Sequence, residues 1–530
     1  MAVSSSPFCT SVPIIRLAYI SIVFVILIIS SALSNGGYYY NYLHNNNTQF
    51  AAYALYSRAM PTAVGPAVID PNLKVEVVAK GLQSPTSMTF LGPSDILVLE
   101  KNTGNVLRVL NGKILGSPLL HANVATAFIE WGLLGIAIAR HDQGEERKPI
   151  SYVFLYYTVP GPNINAAAAT AAGNRLYRYE LVNNELVNAK LLLNLPANSP
   201  NPLAESNHNG GKVLIGPDQN LYIVIGDVGG HKGQAQNVKR GLPLDGTSGI
   251  LRVTQDGQPV SDPPLGDAYP ADLYYAYGIR NSFGIDFDPV TGKLWDTENG
   301  PTYGDEINLV GPGFDSGWVQ VQGVWKINGP APGPAIGGDT TNPPRNLVTF
   351  GDNGVYRAPE FTWLQPVAPT ALKFLNSSQL GTQYQNDMFV GDVDTGSIYH
   401  FRLNQQRNGL VLTGSLAGKV ANTPQESQQL VFAHGFGTIT DLQVGPDGYL
   451  YVLTISGTIY RIVPLHPINI NINAQTPSPP STSNNIKPLP HHHEQSLTTT
   501  PSSPGPKINN NNNNHNSIPG KLEVSQGVLH

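Results

Sequence analysis

Gly445-Pro446-Asp447-Gly448-Tyr449-Leu450-Tyr451-Val452-Leu453 reads as a tight turn that runs straight into a short strand. Pro presets the turn backbone, Asp and Gly suit the positions after it, and the Tyr, Leu and Val run is β-prone. The same text returns three more times. It stands at Leu91-Gly92-Pro93-Ser94-Asp95-Ile96-Leu97-Val98-Leu99 and at Gly216-Pro217-Asp218-Gln219-Asn220-Leu221-Tyr222-Ile223-Val224. It also stands at Asp288-Pro289-Val290-Thr291-Gly292-Lys293-Leu294-Trp295. Weaker copies sit at Val153-Phe154-Leu155-Tyr156-Tyr157-Thr158 and Asn386-Asp387-Met388-Phe389-Val390. Copies continue through a Gly turn into a second strand, as in Asn102–Val109 and Ser456–Val463, which makes each a hairpin with alternating faces.

Hairpins repeated from about Leu73 to Val463 predict an all-β, six-bladed β-propeller, in which radial repetition protects the sheet edges. A β-sandwich array is the alternative. Six copies leave roughly 65 residues per blade, long for a minimal blade, so the surplus belongs in loops on the faces. The best helical candidate in this body is the short Ala-rich run Asn165–Gly173.

Around the repeats, composition sets limits. Gly 54 and Pro 44 with only 13% charged residues match a turn-rich chain, and a net charge of -5 gives no reason to expect nucleic acid as a partner. Cys9 is the single cysteine, so no disulfide can form within the chain and a thiol-based metal site is implausible. Leu17–Leu33 is apolar and uncharged after Arg16, which predicts an N-terminal hydrophobic helix in a segment 1–34. It reads as a membrane anchor, with a cleaved signal or a buried core helix as alternatives. The body is then membrane-anchored and extracytoplasmic, or secreted if the segment is removed. Residues 35–68 read as a polar spacer and 69–465 as the propeller. The Asn-, Pro-, Ser- and His-rich stretch 466–530 reads as a disordered tail.

Chemistry concentrates in two places. Tyr277-Gly278-Ile279-Arg280-Asn281 offers a planar fork of donors beside an amide, suited to a carboxylate or ring carbonyl. Glu298-Asn299-Gly300-Pro301-Thr302-Tyr303-Gly304-Asp305-Glu306 is dense in the hard oxygen ligands that Ca²⁺ takes. An Arg–carboxylate tie between neighbouring loops is the plain alternative. In Glu205-Ser206-Asn207-His208-Asn209-Gly210-Gly211-Lys212, His208 precedes a Gly-Gly pair just before a strand, where a histidine can act as a base near neutral pH or simply bond within the turn.

These blocks, with Glu130-Trp131-Gly132-Leu133-Leu134-Gly135-Ile136-Ala137, Gly226-Asp227, Ala235-Gln236-Asn237 and Gly249-Ile250-Leu251-Arg252-Val253, resemble the soluble glucose dehydrogenase / sorbosone dehydrogenase family. Members of that family are six-bladed propellers using pyrroloquinoline quinone and Ca²⁺ to oxidise aldoses. The resemblance covers about residues 70–465, in the family's order. It implies that His208 takes the proton from the anomeric hydroxyl while hydride passes to the quinone. It implies that Arg280 polarises the quinone oxygens, that Asn281 holds a cofactor carboxylate and that Glu130 stands near substrate and base. Asn299, Gly300, Pro301 and Asp305 become the metal loop. The implied partners are a small sugar, an external electron acceptor and, through the N-terminal segment, a membrane.

The sequence departs from the family at the closing blade. Thr438 and Thr440 stand where an Arg-x-Arg pair faces the cofactor's carboxylates, and Gly391–Gly396 has no counterpart of a preceding lysine. Charge-assisted contacts of about 1.5–3 kcal/mol each are missing, and about 4 kcal/mol weakens binding about a thousandfold. Two further readings follow. One is a non-catalytic propeller that keeps Ca²⁺ for stability and binds glycan or protein. The other is a propeller lactonase or hydrolase with Ca²⁺ as Lewis acid.

Overall fold

The computed structural model describes residues 65–141, 150–163, 169–201, 205–326 and 346–466. The predicted membrane segment, nearly all of the spacer and the tail lie outside them. Among the described residues no helix is long and apolar enough to cross a membrane.

The described chain is an all-β propeller. In chain order, the first sheet holds Pro85–Gly92, Asp95–Glu100 and Asn105–Leu110, and the second holds Leu133–His141, Ile150–Pro160, Ala171–Val182 and Glu185–Leu195. The third has Val213–Ile215, Leu221–Ile225, Gly249–Val253 and Tyr274–Tyr277; the fourth has Ser282–Phe287, Leu294–Glu298, Asp305–Val310 and Phe361–Trp363. The fifth runs Pro369–Phe374, Met388–Asp392, Ile398–Phe401 and Val431–His434. The last joins Ile439–Val444, Leu450–Thr454 and Thr458–Pro464 to Leu73–Lys80 from the other end of the body, so the final sheet is sewn shut by the N-terminal strand.

The expectation of six blades is corrected to five four-stranded blades among the described residues. Five sheets have four consecutive antiparallel strands, whereas in the first sheet the outer position is split into two-residue pieces, Lys113–Ile114 and Leu120–His121. The Ala-rich run is corrected too: its described end, Ala171–Gly173, opens a strand, because Asn174 onward pairs with both neighbours. The one α-helix among the described residues is Pro424–Gln428, capped by the Thr423 side chain.

The recurring turn has a physical purpose. Asp218 accepts from the Tyr222 hydroxyl at 3.1 Å and from Arg252 Nε at 2.8 Å. Asp447 does the same with Tyr451 at 2.8 Å and Arg461 at 3.0 Å, and Asp95 takes Arg108 through both oxygens. The turn carboxylate therefore locks the second and third strands of its own sheet. Between sheets the contact is apolar: Tyr222, Val224, Ile250, Ile285, Leu294 and Val310, for example, pack the third sheet on the fourth. The first strands of successive sheets stand side by side, including Ile439–Val444 against Pro85–Gly92 and Pro85–Gly92 against Leu133–His141. Their leading ends and preceding loops meet at one end of the axis.

Candidate functional site

The sequence between Glu205 and Lys212 crosses from the second sheet to the third, and at that axis it is held from both sides. The Tyr156 hydroxyl donates to Asn209 O at 3.0 Å, Asn174 Nδ2 donates to Asn209 Oδ1 at 2.7 Å, and Asn209 N donates to a Glu130 oxygen at 3.0 Å. His208 itself adopts a left-handed backbone, φ 66°. Gly211 sits at φ 114°, and a Cβ there would stand 2.6 Å from that of Leu134, so only glycine lets the loop reach the second sheet. These ties fix where the imidazole points.

His208 Nδ1 lies 2.5 Å from Asp227 Oδ1, and the ring keeps 19% of its surface open. A carboxylate partner selects the tautomer with hydrogen on Nδ1, which leaves Nε2 as a lone-pair base. Burial alone would raise the Asp227 carboxyl. The His208 ring, Arg280 and the Trp318 indole N–H, 2.9 Å from Oδ2, outweigh it and hold Asp227 below the usual range. Asp227 is thus ionised at neutral pH and can stabilise a proton arriving on His208. The sequence reading quoted Gly226-Asp227 but gave Asp227 no role, and it missed Trp318. A carboxylate directly after the buried strand Leu221–Ile225 was the available signal for the first. The second had none, since Trp318 arrives from far along the chain.

Gly226 joins the two halves of the site. A Cβ on it would stand 2.5 Å from Arg280 O and 2.9 Å from His208 Cβ. His208 and Arg280 are therefore neighbours, as one shared cavity requires. Arg280 O accepts from Asp227 N at 2.8 Å and Arg280 N donates to buried Glu298 at 2.7 Å. Its guanidinium donates to the carbonyls of Asn299 and Gly300, both at 2.9 Å, and lies 5.5 Å from the Trp318 ring centre. Asn281 Nδ2 donates to Glu130 at 3.3 Å, which brings the second-sheet glutamate to the same place. His208, Arg280, Asn281, Glu130, Asn299 and Gly300 are all brought together.

Below them, buried between the third and fourth sheets, the cross-strand partners Glu298 and Glu306 sit next to Asp296. Burial pushes Asp296 up to about 7, and burial with repulsion from neighbouring acids pushes Glu298 well above its ordinary range and Glu306 to about 8.

The side-chain oxygens of Asn299 and Asn281 are buried without a partner, the condition of donors awaiting a cation, so the loop expected to take Ca²⁺ fits a hard ion. Asp305 has a different job from the one expected. One of its oxygens accepts Gly300 N at 2.8 Å, and the other accepts Val367 N and Ala368 N at 2.7 and 2.8 Å. It shapes the loop rather than facing an ion. Burial nevertheless raises its carboxyl to about 6.

The opposite wall is different. Thr440 Oγ donates to Leu453 O at 3.3 Å, and Thr370 Oγ to Ile439 O at 2.6 Å, so this wall offers hydroxyls already spent on backbone. Lysines that could replace the absent arginines are paired. Lys212 reaches from the third sheet to Asp441 of the last at 2.6 Å, and Lys373 bonds Asp286 at 3.0 Å. His434 lies on the outermost regular strand of its sheet, exposed and opposite Ala67. Thr440 is spent on backbone, neither Thr438 nor Thr440 brings a positive charge, and the residues present do not fit a tricarboxylate quinone.

Residues 82–461 match the Glucose / Sorbosone dehydrogenase family, well over half of the chain. The chain belongs to that family. It is 26% identical to the aldose sugar dehydrogenase YliI of Escherichia coli K12 over 399 residues, covering 74% of this chain and 93% of that one. Its fold is that of the soluble aldose sugar dehydrogenase of Escherichia coli in its apo form, with TM-score 0.55 at 24% identity over 74% of this chain and 99% of that one. The PQQ-bound aldose sugar dehydrogenase of Streptomyces coelicolor shares the fold at TM-score 0.50 and 21% identity, over 74% and 98% of the two chains.

Proposed function

We propose that the chain is an exported, membrane-tethered sugar dehydrogenase that oxidises a sugar hydroxyl at the axis of the propeller and passes the electrons to an external acceptor. The observation that carries this reading is the His208–Asp227 pair, 2.5 Å apart and beside Arg280. His208 Nε2 takes the hydroxyl proton, Asp227 stabilises the resulting imidazolium, and the hydrogen on carbon leaves with its electron pair to the oxidant. Arg280, held by two carbonyls and lying 5.5 Å from the Trp318 ring centre, stabilises negative charge that develops on the oxidant. Glu130 orients the loop of the base through Asn209 and the loop of Arg280 through Asn281.

The Asn299 side chain and the Gly300 and Pro301 carbonyls would hold Ca²⁺, which would supply Lewis-acid polarisation there. The first sheet counts as the sixth blade in this reading. The apolar run Leu17–Leu33, within a segment 1–34, supports the tether and an extracytoplasmic place for the body. Purified full-length protein with Ca²⁺, an aldose and a quinone should reduce a dye. Silence with every aldose and every quinone tried ends the reading, and a Ca²⁺-raised melting temperature with no redox turnover then favours the non-catalytic propeller.

A further inference from the structure

We infer that the axial site does not keep a tricarboxylate quinone as a resident cofactor, and that the oxidant it fits is a quinone carrying at most one anionic group. The inference rests on the dehydrogenase reading, but it concerns charge rather than turnover. Pyrroloquinoline quinone, the ligand bound to the Streptomyces coelicolor relative, is the reference molecule with three carboxylates.

Three such groups taken out of water need three sets of charged or well-aimed donors. Around this site, among the described residues, two cations have no carboxylate hydrogen bond: Arg280, whose Nη1 already donates to two carbonyls, and Lys101, whose ammonium donates to Asn102 Oδ1 at 2.8 Å and lies under the charge of Glu130. Lys212 is not available. Its side chain is 10% exposed, and its partner Asp441, 1% exposed, also accepts Met88 N at 2.9 Å and Ser87 Oγ at 3.2 Å. Drawing Lys212 off toward a ligand would strand a buried carboxylate in the middle of three sheets.

Lys373 is tied in the same way, since Asp286 accepts both its ammonium and Phe374 N, at 3.0 and 2.9 Å. The remaining charges nearby are negative. Asp227 and Glu130 face the base and the Arg280 loop, and buried Asp392 caps the turn at Thr395 and Gly396. An added trianion would meet one guanidinium, one ammonium already under the charge of Glu130, and several carboxylates.

The redox step stays balanced with a low-charge quinone. The sugar loses hydride from carbon and a proton from oxygen, a C=O bond forms, and the quinone takes both as a quinol. Such a quinone would bind and leave with each turnover rather than stay bound.

The test compares pyrroloquinoline quinone with its trimethyl ester, the same ring system without the charges, by quenching of tryptophan fluorescence in the full-length protein loaded with Ca²⁺. Trp318 lies beside Arg280 and reports occupancy directly. The expected result is a triester bound at least as tightly as the triacid. In Thr438→Arg/Thr440→Arg the preference should swing toward the triacid by about a hundredfold to a thousandfold. Triacid binding in the unaltered protein a hundredfold or more above the triester overturns the inference, whatever the variant does. Failure of both ligands to bind leaves the exclusion of the triacid standing and overturns the quinone assignment. The dehydrogenase reading falls only if the dye assay is silent as well.

Discussion

Two walls of one axial site differ in kind. On the side of the third and fourth sheets, charged groups are aimed at one another across loop boundaries. His208 meets Asp227, Asp227 meets Trp318 and Arg280, and Arg280 meets the carbonyls of Asn299 and Gly300. On the side of the fifth and last sheets, groups that could meet a ligand are satisfied within the fold, Thr440 by a carbonyl, Lys212 by Asp441 and Lys373 by Asp286. The first wall retains open valence, in a ring nitrogen and two orphaned amide oxygens, whereas the lysines of the second are tied to carboxylates. A protein can keep the catalytic half of a site while closing the half that would grip a charged cofactor, because the two halves lie on different sheets.

The comparison breaks most directly at His208. His208→Gln should lower dye reduction about 10²–10⁴-fold with little change in the melting temperature, since the loop is held through Asn209 and Glu130 rather than the imidazole. A loss of under about tenfold would place the base elsewhere.

The next largest effect lies on the closed wall. Asp441→Ala leaves Lys212 buried without its partner and should cost about 3–5 kcal/mol by denaturant unfolding. Thr440→Val, which loses one long hydrogen bond, should cost about 1 kcal/mol or less. If both variants unfold alike, the closed wall is not built around the ion pair.

The smallest effect concerns the acids beneath the open wall. Asp296 is raised by burial to about 7, so its neutral form favours the folded state. That contribution is full below the ordinary carboxylate range near pH 4 and is lost as pH rises through about 7. Asp296→Asn should leave the melting temperature unchanged near pH 4 and raise it by a few degrees at pH 8. Equal shifts at both pH values would contradict the burial argument.

Much of this was readable in the chain. The turn-and-strand text beginning at Leu91, Gly216, Asp288 and Gly445 named the hairpins, because alternation and turn chemistry are local. The loops carrying His208, Arg280 and Asn299 were readable for the same reason. The jobs within those loops were not. Asp305 looks like a ligand beside Gly300, yet one of its oxygens is taken by Gly300 N and the other by Val367 and Ala368, two residues far along the chain that approach only when the fourth and fifth sheets abut. Likewise nothing near Thr438 tells that the lysines able to replace a lost arginine are already committed.

What the amino-acid order determined alone is the architecture and the chemical inventory: repeated hairpins, a histidine before a Gly-Gly pair, an arginine beside an amide, an oxygen-rich turn. What only the tertiary structure decided is which of these groups remain unpaired at the axis. Backbone preferences act over a few residues and leave their mark in the text, whereas a charge is neutralised by whatever the fold brings within 3 Å of it, as Asp441 is by Lys212 at 2.6 Å.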